Sequence, residues 1–268
     1  MFGDKKSLSE TEIRTRYITP SLVSAGWSYD NIHEEKSFTD GRVIDKGHGE
    51  YFRGERKRTD YLLTYNSSYI AVVEAKDNNH PIGYGMQQAI DYAKMLDVPF
   101  AFSSNGDGYI KKNMITKEEV EIGLDEFPSP EEMWKEYITC SGISEEQERI
   151  IKEPLYPSKY APRYYQQIAI ERTLKAVAKG QDRVLLVMAT GTGKTYTAFQ
   201  IIYRLWKSRT KKRILFLADR NILIDQTMVN DFAPFKGVMT KIKGKYDPAY
   251  EVYLGLYQQL KGSDGRPD

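Results

Sequence analysis

The chain has 268 residues, 40% hydrophobic and 28% charged, which is globular composition with room for one large domain or two ordinary ones. A net charge of +2 excludes a simple polycation that coats nucleic acid but leaves a local basic groove open. One cysteine, Cys140, excludes a disulfide framework and a thiolate zinc cluster, and His33, His48 and His80 are scattered without ligand spacing.

The opening MFGDKKSLSETE has no apolar core, so no signal peptide is expected. No run approaches the roughly 18 apolar residues of a membrane helix. A reducing, cytoplasmic setting and no membrane partner are the expectation. Ser9 with Glu12 has the form of a capping box and predicts a helix that stops by Pro20. Residues 61–65 and 69–76 are strand-like, separated by the turn-forming Asn66-Ser67-Ser68. A helix is expected over 85–96 and a buried strand over 98–102, followed by the turn signal Asn105-Gly106.

Pro154, Pro157 and Pro162 then break regular structure. They divide the chain into a mixed α and β domain over 1–145, a linker over 146–162 and a second domain over 163–268. The second domain alternates: helix 166–178, strand 184–188, helix 194–206, strand 214–218, helix 222–230, and a strand around 250–254. That alternation implies α/β architecture with a parallel sheet and helices on both faces.

The first chemical signal is Ala189-Thr190-Gly191-Thr192-Gly193-Lys194-Thr195, between an expected strand and an expected helix. The glycines allow successive N–H groups to point inward, and the helix N-terminus adds positive potential for an anion. Lys194 would reach the outer phosphates of ATP and the Thr195 hydroxyl would ligate Mg²⁺. Met188 stands where the general phosphate-loop pattern has its first glycine, and the variant present here resembles that of helicases and translocases. Upstream, Arg163-Tyr164-Tyr165-Gln166 resembles the adenine-holding segment of superfamily 2 helicases, with Gln166 reading the adenine edge and Arg163 or Tyr165 stacking. The run 214–221 resembles the first DNA-contacting motif of the same motors.

The second signal is a hairpin of carboxylates. A turn about Ser67 sets Asp60 opposite Glu74. Two like charges there are unfavourable unless a divalent cation lies between them, and hard oxygens suit Mg²⁺. Lys76 shares a face with Glu74 and can orient a water or stabilise a phosphorane-like transition state. Asp60, Glu74 and Lys76 resemble the PD-(D/E)xK nucleases, although Thr59 stands where the family name has proline. Gln88 and Tyr92, four apart on the next helix, resemble an accessory motif of one branch, and Glu12 is placed as an additional acidic residue. A solvated strand face with a salt bridge is the bland alternative. Arg53, Arg56, Lys57 and Arg58 lie beside Asp60 and suit phosphate contact, whereas the cluster from Lys207 to Arg213 reads as a solvated face.

A nuclease motif, a proline-rich linker and a helicase motif, in that order, resemble the R subunit of type I restriction endonucleases. The resemblance implies a PD-(D/E)xK-type domain (mixed sheet flanked by helices) followed by an incomplete RecA-like motor lobe. It also implies ATP-driven translocation and Mg²⁺-dependent cleavage of double-stranded DNA, with methylation and specificity subunits as partners. No Asp-Glu-x-His box follows the phosphate loop before the closing KGSDGRPD, so a fragment without ATP hydrolysis or translocation is expected. The alternatives are a nucleic-acid-binding ATPase with a non-catalytic docking domain, or a freestanding helicase–nuclease of another defence system.

Overall fold

A computed structural model describes residues 4–39, 43–45, 51–53, 55–242 and 247–260, without the side chains of 43–45, 51–53, 221–223, 226 and 259–260. His48, the closing KGSDGRPD and the side chain of Arg53 lie outside the described residues. The chain divides into two compact units: Met1–Glu148 with Arg163–Ile168, and Arg149–Pro162 with Ala169–Asp268.

The first unit opens as anticipated at Ser9, whose hydroxyl accepts from the Glu12 N–H while the Glu12 carboxylate accepts from the Ser9 N–H. The helix does not stop at Pro20. Helix α1 (Glu10–Ile13) widens into a π-helical turn, Arg14–Ile18, and continues as α2 (Thr19–Ser24). Pro20 falls in the first turn of α2, and the wider turn before it accommodates a ring that clashes in a regular α-helix.

Strand β1 (Ile32–Thr39) follows, then a two-stranded ribbon of β2 (Val43–Asp45) and β3 (Tyr51–Arg53). The hairpin pairs β4 (Arg56–Tyr65) with β5 (Ser68–Ala75). Its turn has only two residues, Asn66 at φ +49° and Ser67 at φ +60°, the primed geometry that matches strand twist. A bulge between Leu63 and Thr64 then shifts the register, so that Tyr61 faces Val73. Bulge and short turn together give the alignment that a three-residue turn predicts.

Helix α3 (Met86–Leu96) ends at Asp97 in the left-handed conformation and crosses over to β6 (Phe100–Ser104), parallel to β5. Strands β7 (Gly108–Asn113) and β8 (Glu119–Gly123) complete a mixed sheet of order β1-β4-β5-β6-β7-β8. Phe38, Leu62, Val72 and Ala101 from the sheet pack against Met86, Ala89, Ala93 and Leu96 of α3. Helix α4 (Pro130–Cys140) carries Trp134, whose indole N–H donates to Glu148 at 2.7 Å.

The stretch read as a linker begins instead as helix α5 (Glu145–Lys152), and the irregular proline-rich segment follows it. Helix α6 (Tyr164–Ala178) starts within the first unit, where Tyr164 Oη donates to the Thr39 carbonyl at 2.8 Å and Gln167 donates to the Ser67 carbonyl in the hairpin turn.

In the second unit, α7 (Lys194–Lys207) precedes β9 (Ile214–Ala218), α8 (Asn221–Val229), β10 (Met239–Lys241) and β11 (Val252–Leu256). The strands form a parallel sheet of order β10-β11-β9, as the alternation implies. Its core joins Phe199, Ile224, Phe232, Phe235, Val252 and Leu254. One face of α7 holds the end of α5 and the proline-rich segment at helical spacing. Tyr196 Oη donates to the Tyr160 carbonyl at 3.2 Å, Gln200 accepts from Tyr156 N–H at 2.9 Å and donates to its carbonyl at 3.2 Å, and buried Arg204 donates to the Ile151 carbonyl.

The strand expected over 184–188 does not form. Val184, Leu185, Leu186 and Val187 are 42, 86, 38 and 88% exposed, and among the described residues none is paired in a sheet. An apolar run is a strand only when a neighbour takes its N–H and C=O groups, and among the described residues this run has none.

Candidate active site

Asp60 lies within β4 and Glu74 near the end of β5, one position beyond the Tyr61–Val73 pair. Each carboxylate takes a backbone donor from the opposite strand. Glu74 Oε1 accepts from Asp60 N–H at 3.3 Å, and Asp60 Oδ2 accepts from Ala75 N–H at 2.8 Å. The side chains thus replace ladder bonds where the strand ends part, and this interlock fixes both carboxylates. Glu74 is 1% exposed. Burial, then the charge of Asp60, pushes its carboxyl up to about 8, against the opposing influences of Thr59, Asp60 N–H and Lys76.

Lys76 continues past β5, its N–H donating to the Ser104 carbonyl at 2.8 Å. Gly85 explains how Glu74 and Lys76 crowd together. A Cβ on Gly85 would stand 3.0 Å from Ser103 Oγ, 3.4 Å from Glu74 Cβ and 3.5 Å from Lys76 Cε. Ser103 Oγ also accepts from Gly85 N–H at 3.1 Å, which seats the turn before α3 under the two side chains.

Other acidic and basic residues occupy positions that spacing does not disclose. Glu12 is held by its capping box and pairs with Arg16 at 2.9 Å. Glu10 is the α1 residue beside Lys76, with Oε2 3.5 Å from Nζ. Arg14, 7% exposed, places Nη1 3.6 Å from Asp60 Oδ1. Gln88 donates to Tyr92 Oη at 3.1 Å, so the two do share a face, and both line an open groove with Lys57 and Lys94. Arg58 is exposed and pairs with Glu35 at 3.1 Å. Among the described residues no three carboxylate, histidine or cysteine side chains form a metal cluster, so Asp60 and Glu74 stand as a pair.

In the second unit the loop has the conformation its glycines permit. Gly191 and Gly193 adopt φ +79° and +81°, a region side chains rarely enter. Thr192 Oγ1 donates to the Ala189 carbonyl at 2.6 Å, and Lys194 Nζ donates to the Met188 carbonyl at 3.3 Å. Gly193 caps α7 without a side-chain bond, which leaves the first N–H groups of the helix, including that of Thr195, directed at the loop. Thr190 is exposed on the same loop. Arg163 and Gln166 belong to the first unit, where Gln166 Oε1 accepts from Arg163 N–H at 2.8 Å and Arg163 donates to Tyr165 Oη at 3.0 Å. No helix among the described residues is long and apolar enough to cross a membrane.

Residues 159–266 match the family described as type III restriction enzyme, res subunit. The chain is 50% identical over 267 residues to the type I restriction enzyme EcoAI endonuclease subunit of Escherichia coli, covering 96% of this chain and 33% of that protein. It is 28% identical over 281 residues to the EcoKI endonuclease subunit of Escherichia coli K12, covering 84% of this chain and 24% of that protein. A solved fragment of a candidate HsdR subunit of a type I restriction enzyme from Vibrio vulnificus YJ016 superposes with a TM-score of 0.77 at 42% identity, over 94% of this chain and 48% of that one. The chain therefore spans about a third of the EcoAI subunit. These likenesses extend across both units, and the chain belongs to the family of type I restriction enzyme R subunits.

Proposed function

We propose that the chain carries a PD-(D/E)xK-type, Mg²⁺-dependent nuclease domain ahead of an ATP-binding RecA-like motor region. The whole protein then cuts double-stranded DNA in a type I restriction–modification complex, with ATP-driven translocation and with methylation and specificity subunits as partners. The observation that carries this reading is the Asp60–Glu74 interlock with Lys76 over Gly85. A docking module has no need to bury Glu74 beside a second carboxylate and a lysine. The paired oxygens fit Mg²⁺, which commonly takes one or two carboxylates and fills its remaining positions with water and phosphate. Once bound, the ion supplies positive charge to the attacking and leaving oxygens of a displacement at phosphorus. Asp60 and Glu74 hold their oxygens in place through the backbone donors of the opposite strand. The Lys76 ammonium, steadied by Glu10, lies where it can orient a water or stabilise charge on a phosphate. Gln88, Tyr92 and Lys57 extend the surface available to DNA. Glu12, held in its cap, contributes to this site by fixing the start of α1.

For the motor region, the loop Thr190–Thr195 would cradle the phosphates of ATP, with Lys194 turning from the Met188 carbonyl to the outer phosphates and Thr195 serving Mg²⁺. Lys194→Ala in the full-length protein, assembled with its methylation and specificity subunits, is expected to lower DNA-stimulated ATP hydrolysis by at least about a hundredfold. Phosphate release checks it. A variant that hydrolyses ATP at the wild-type rate rejects the phosphate-loop assignment.

A further inference from the structure

Arg14 occupies an unusual position for a cation. It is nearly buried, its guanidinium lies 5.1 Å over the ring of Tyr61, and its Nε has no hydrogen-bond partner among the described residues. Three carboxylates surround its other nitrogens: Glu34 at 3.1 Å, Glu35 at 3.2 Å and Asp60 at 3.6 Å. Its backbone opens the π-helical turn between α1 and α2, a local departure from α geometry at the residue that reaches Asp60.

Glu35 is equally unusual. It adopts φ +51° in the middle of β1, where a residue with a side chain is strained. The ladder pairs Glu34 with Tyr61 and Lys36 with Thr59, and the intervening Glu35 and Asp60 are left out of it. The strain therefore sits opposite Asp60. It lets Glu35 use one oxygen for Arg14 and the other for Arg58, at 3.1 Å. An ion-pair chain, Arg58–Glu35–Arg14–Asp60, results.

Resting on the nuclease reading above, we propose that Arg14 is a positioning residue for the Asp60 carboxylate and that Glu35 is its seat. Ala75 N–H fixes one oxygen of Asp60 and Arg14 holds the other. Asp60 is thereby kept in one rotamer, ready to bind a divalent cation without first paying its ordering entropy.

The test is Mg²⁺-dependent plasmid cleavage by the full-length protein in its assembled complex, comparing Arg14→Gln, Arg14→Lys, Glu35→Gln and Asp60→Asn. Arg14→Gln is expected to raise the Mg²⁺ midpoint and to lower the cleavage rate by about 10–100-fold, the usual cost of losing a partner that orients a metal ligand. The KM for DNA should stay within about twofold, because Arg14 lies behind Asp60. Arg14→Lys restores part of the loss, and Glu35→Gln falls near the lower end, about tenfold. An unchanged midpoint and rate in Arg14→Gln overturns the proposal. If that variant does not assemble, Glu35→Gln decides, since it leaves the Glu34 and Asp60 pairs in place, and an unchanged midpoint there overturns it. Asp60→Asn separates the two readings. Cleavage by that variant at the wild-type rate means that the nuclease reading has failed. An inactive Asp60→Asn beside a wild-type Arg14→Gln removes only the positioning role.

Discussion

Asp60→Ala and Lys76→Ala, each in the full-length protein with its partner subunits, are expected to lower plasmid cleavage by at least about a hundredfold while ATP hydrolysis continues. The two side chains fail for different reasons. Without Asp60 the backbone N–H of Ala75 loses its acceptor and Glu74 loses the second oxygen of the pair. Without Lys76 the carboxylates persist, but no ammonium faces the phosphate, and Glu10 loses its cation. Asp60→Ala should therefore weaken Mg²⁺ binding, whereas Lys76→Ala should leave it near the wild-type level. Calorimetric Mg²⁺ titration beside the cleavage assay separates the two. Undiminished cleavage in both variants makes the hairpin structural and the first unit a docking or DNA-holding module.

The second large effect concerns pH. Glu74 is buried beside Asp60 and its carboxyl is pushed up to about 8, so it holds a proton at neutral pH until a cation displaces it. Mg²⁺ binding is then expected to release about one proton near pH 7, and apparent affinity should rise about tenfold per pH unit until it levels off near the Glu74 value. Metal-free stability runs the opposite way. The folded state binds more protons than the unfolded state between the ordinary carboxyl range and about 8, so stability is greatest below that window and falls as pH rises through it. Glu74→Gln should flatten both dependences. Titration in buffers of different protonation enthalpy measures the proton release, and thermal melts from pH 5 to 8 measure the stability. A wild-type protein that binds Mg²⁺ with no proton release contradicts the buried-acid description.

Much of the first unit was legible because its signals are local. The Ser9 cap, the turn-forming Asn66-Ser67-Ser68 and the Tyr-, Leu-, Ile- and Val-rich strands each depend on neighbours within a few residues, whereas the alignment of Asp60 with Glu74 is reached through a two-residue turn and a bulge at Leu63 and Thr64 that no local signal marks. The difference between Glu12 and Glu10 was also present in the sequence, in a less obvious form. A glutamate at the third position of a capping box reaches back to its own cap, so Glu12 is engaged by the motif that identifies the helix. Arg14 is another matter. Its approach to Asp60 depends on a π-helical turn before Pro20 and on the left-handed Glu35, neither of which leaves a periodic signature.

The second unit shows the same boundary between local and long-range information. Residues 214–218 form the expected strand because β11 pairs with them. The equally apolar 184–188 have no strand partner among the described residues, since composition specifies what a strand needs buried but not which strand lies beside it. The loop that follows still turns as expected, because Gly191 and Gly193 carry their conformational freedom with them.

The most direct measurement is diffraction from crystals of this protein soaked in Mn²⁺, collected at the manganese absorption edge. The nuclease account predicts an anomalous peak bridging one oxygen of Asp60 and one of Glu74 near Lys76, absent in Asp60→Ala. Saturating Mn²⁺ with no peak between those carboxylates, or a peak that survives Asp60→Ala, contradicts it.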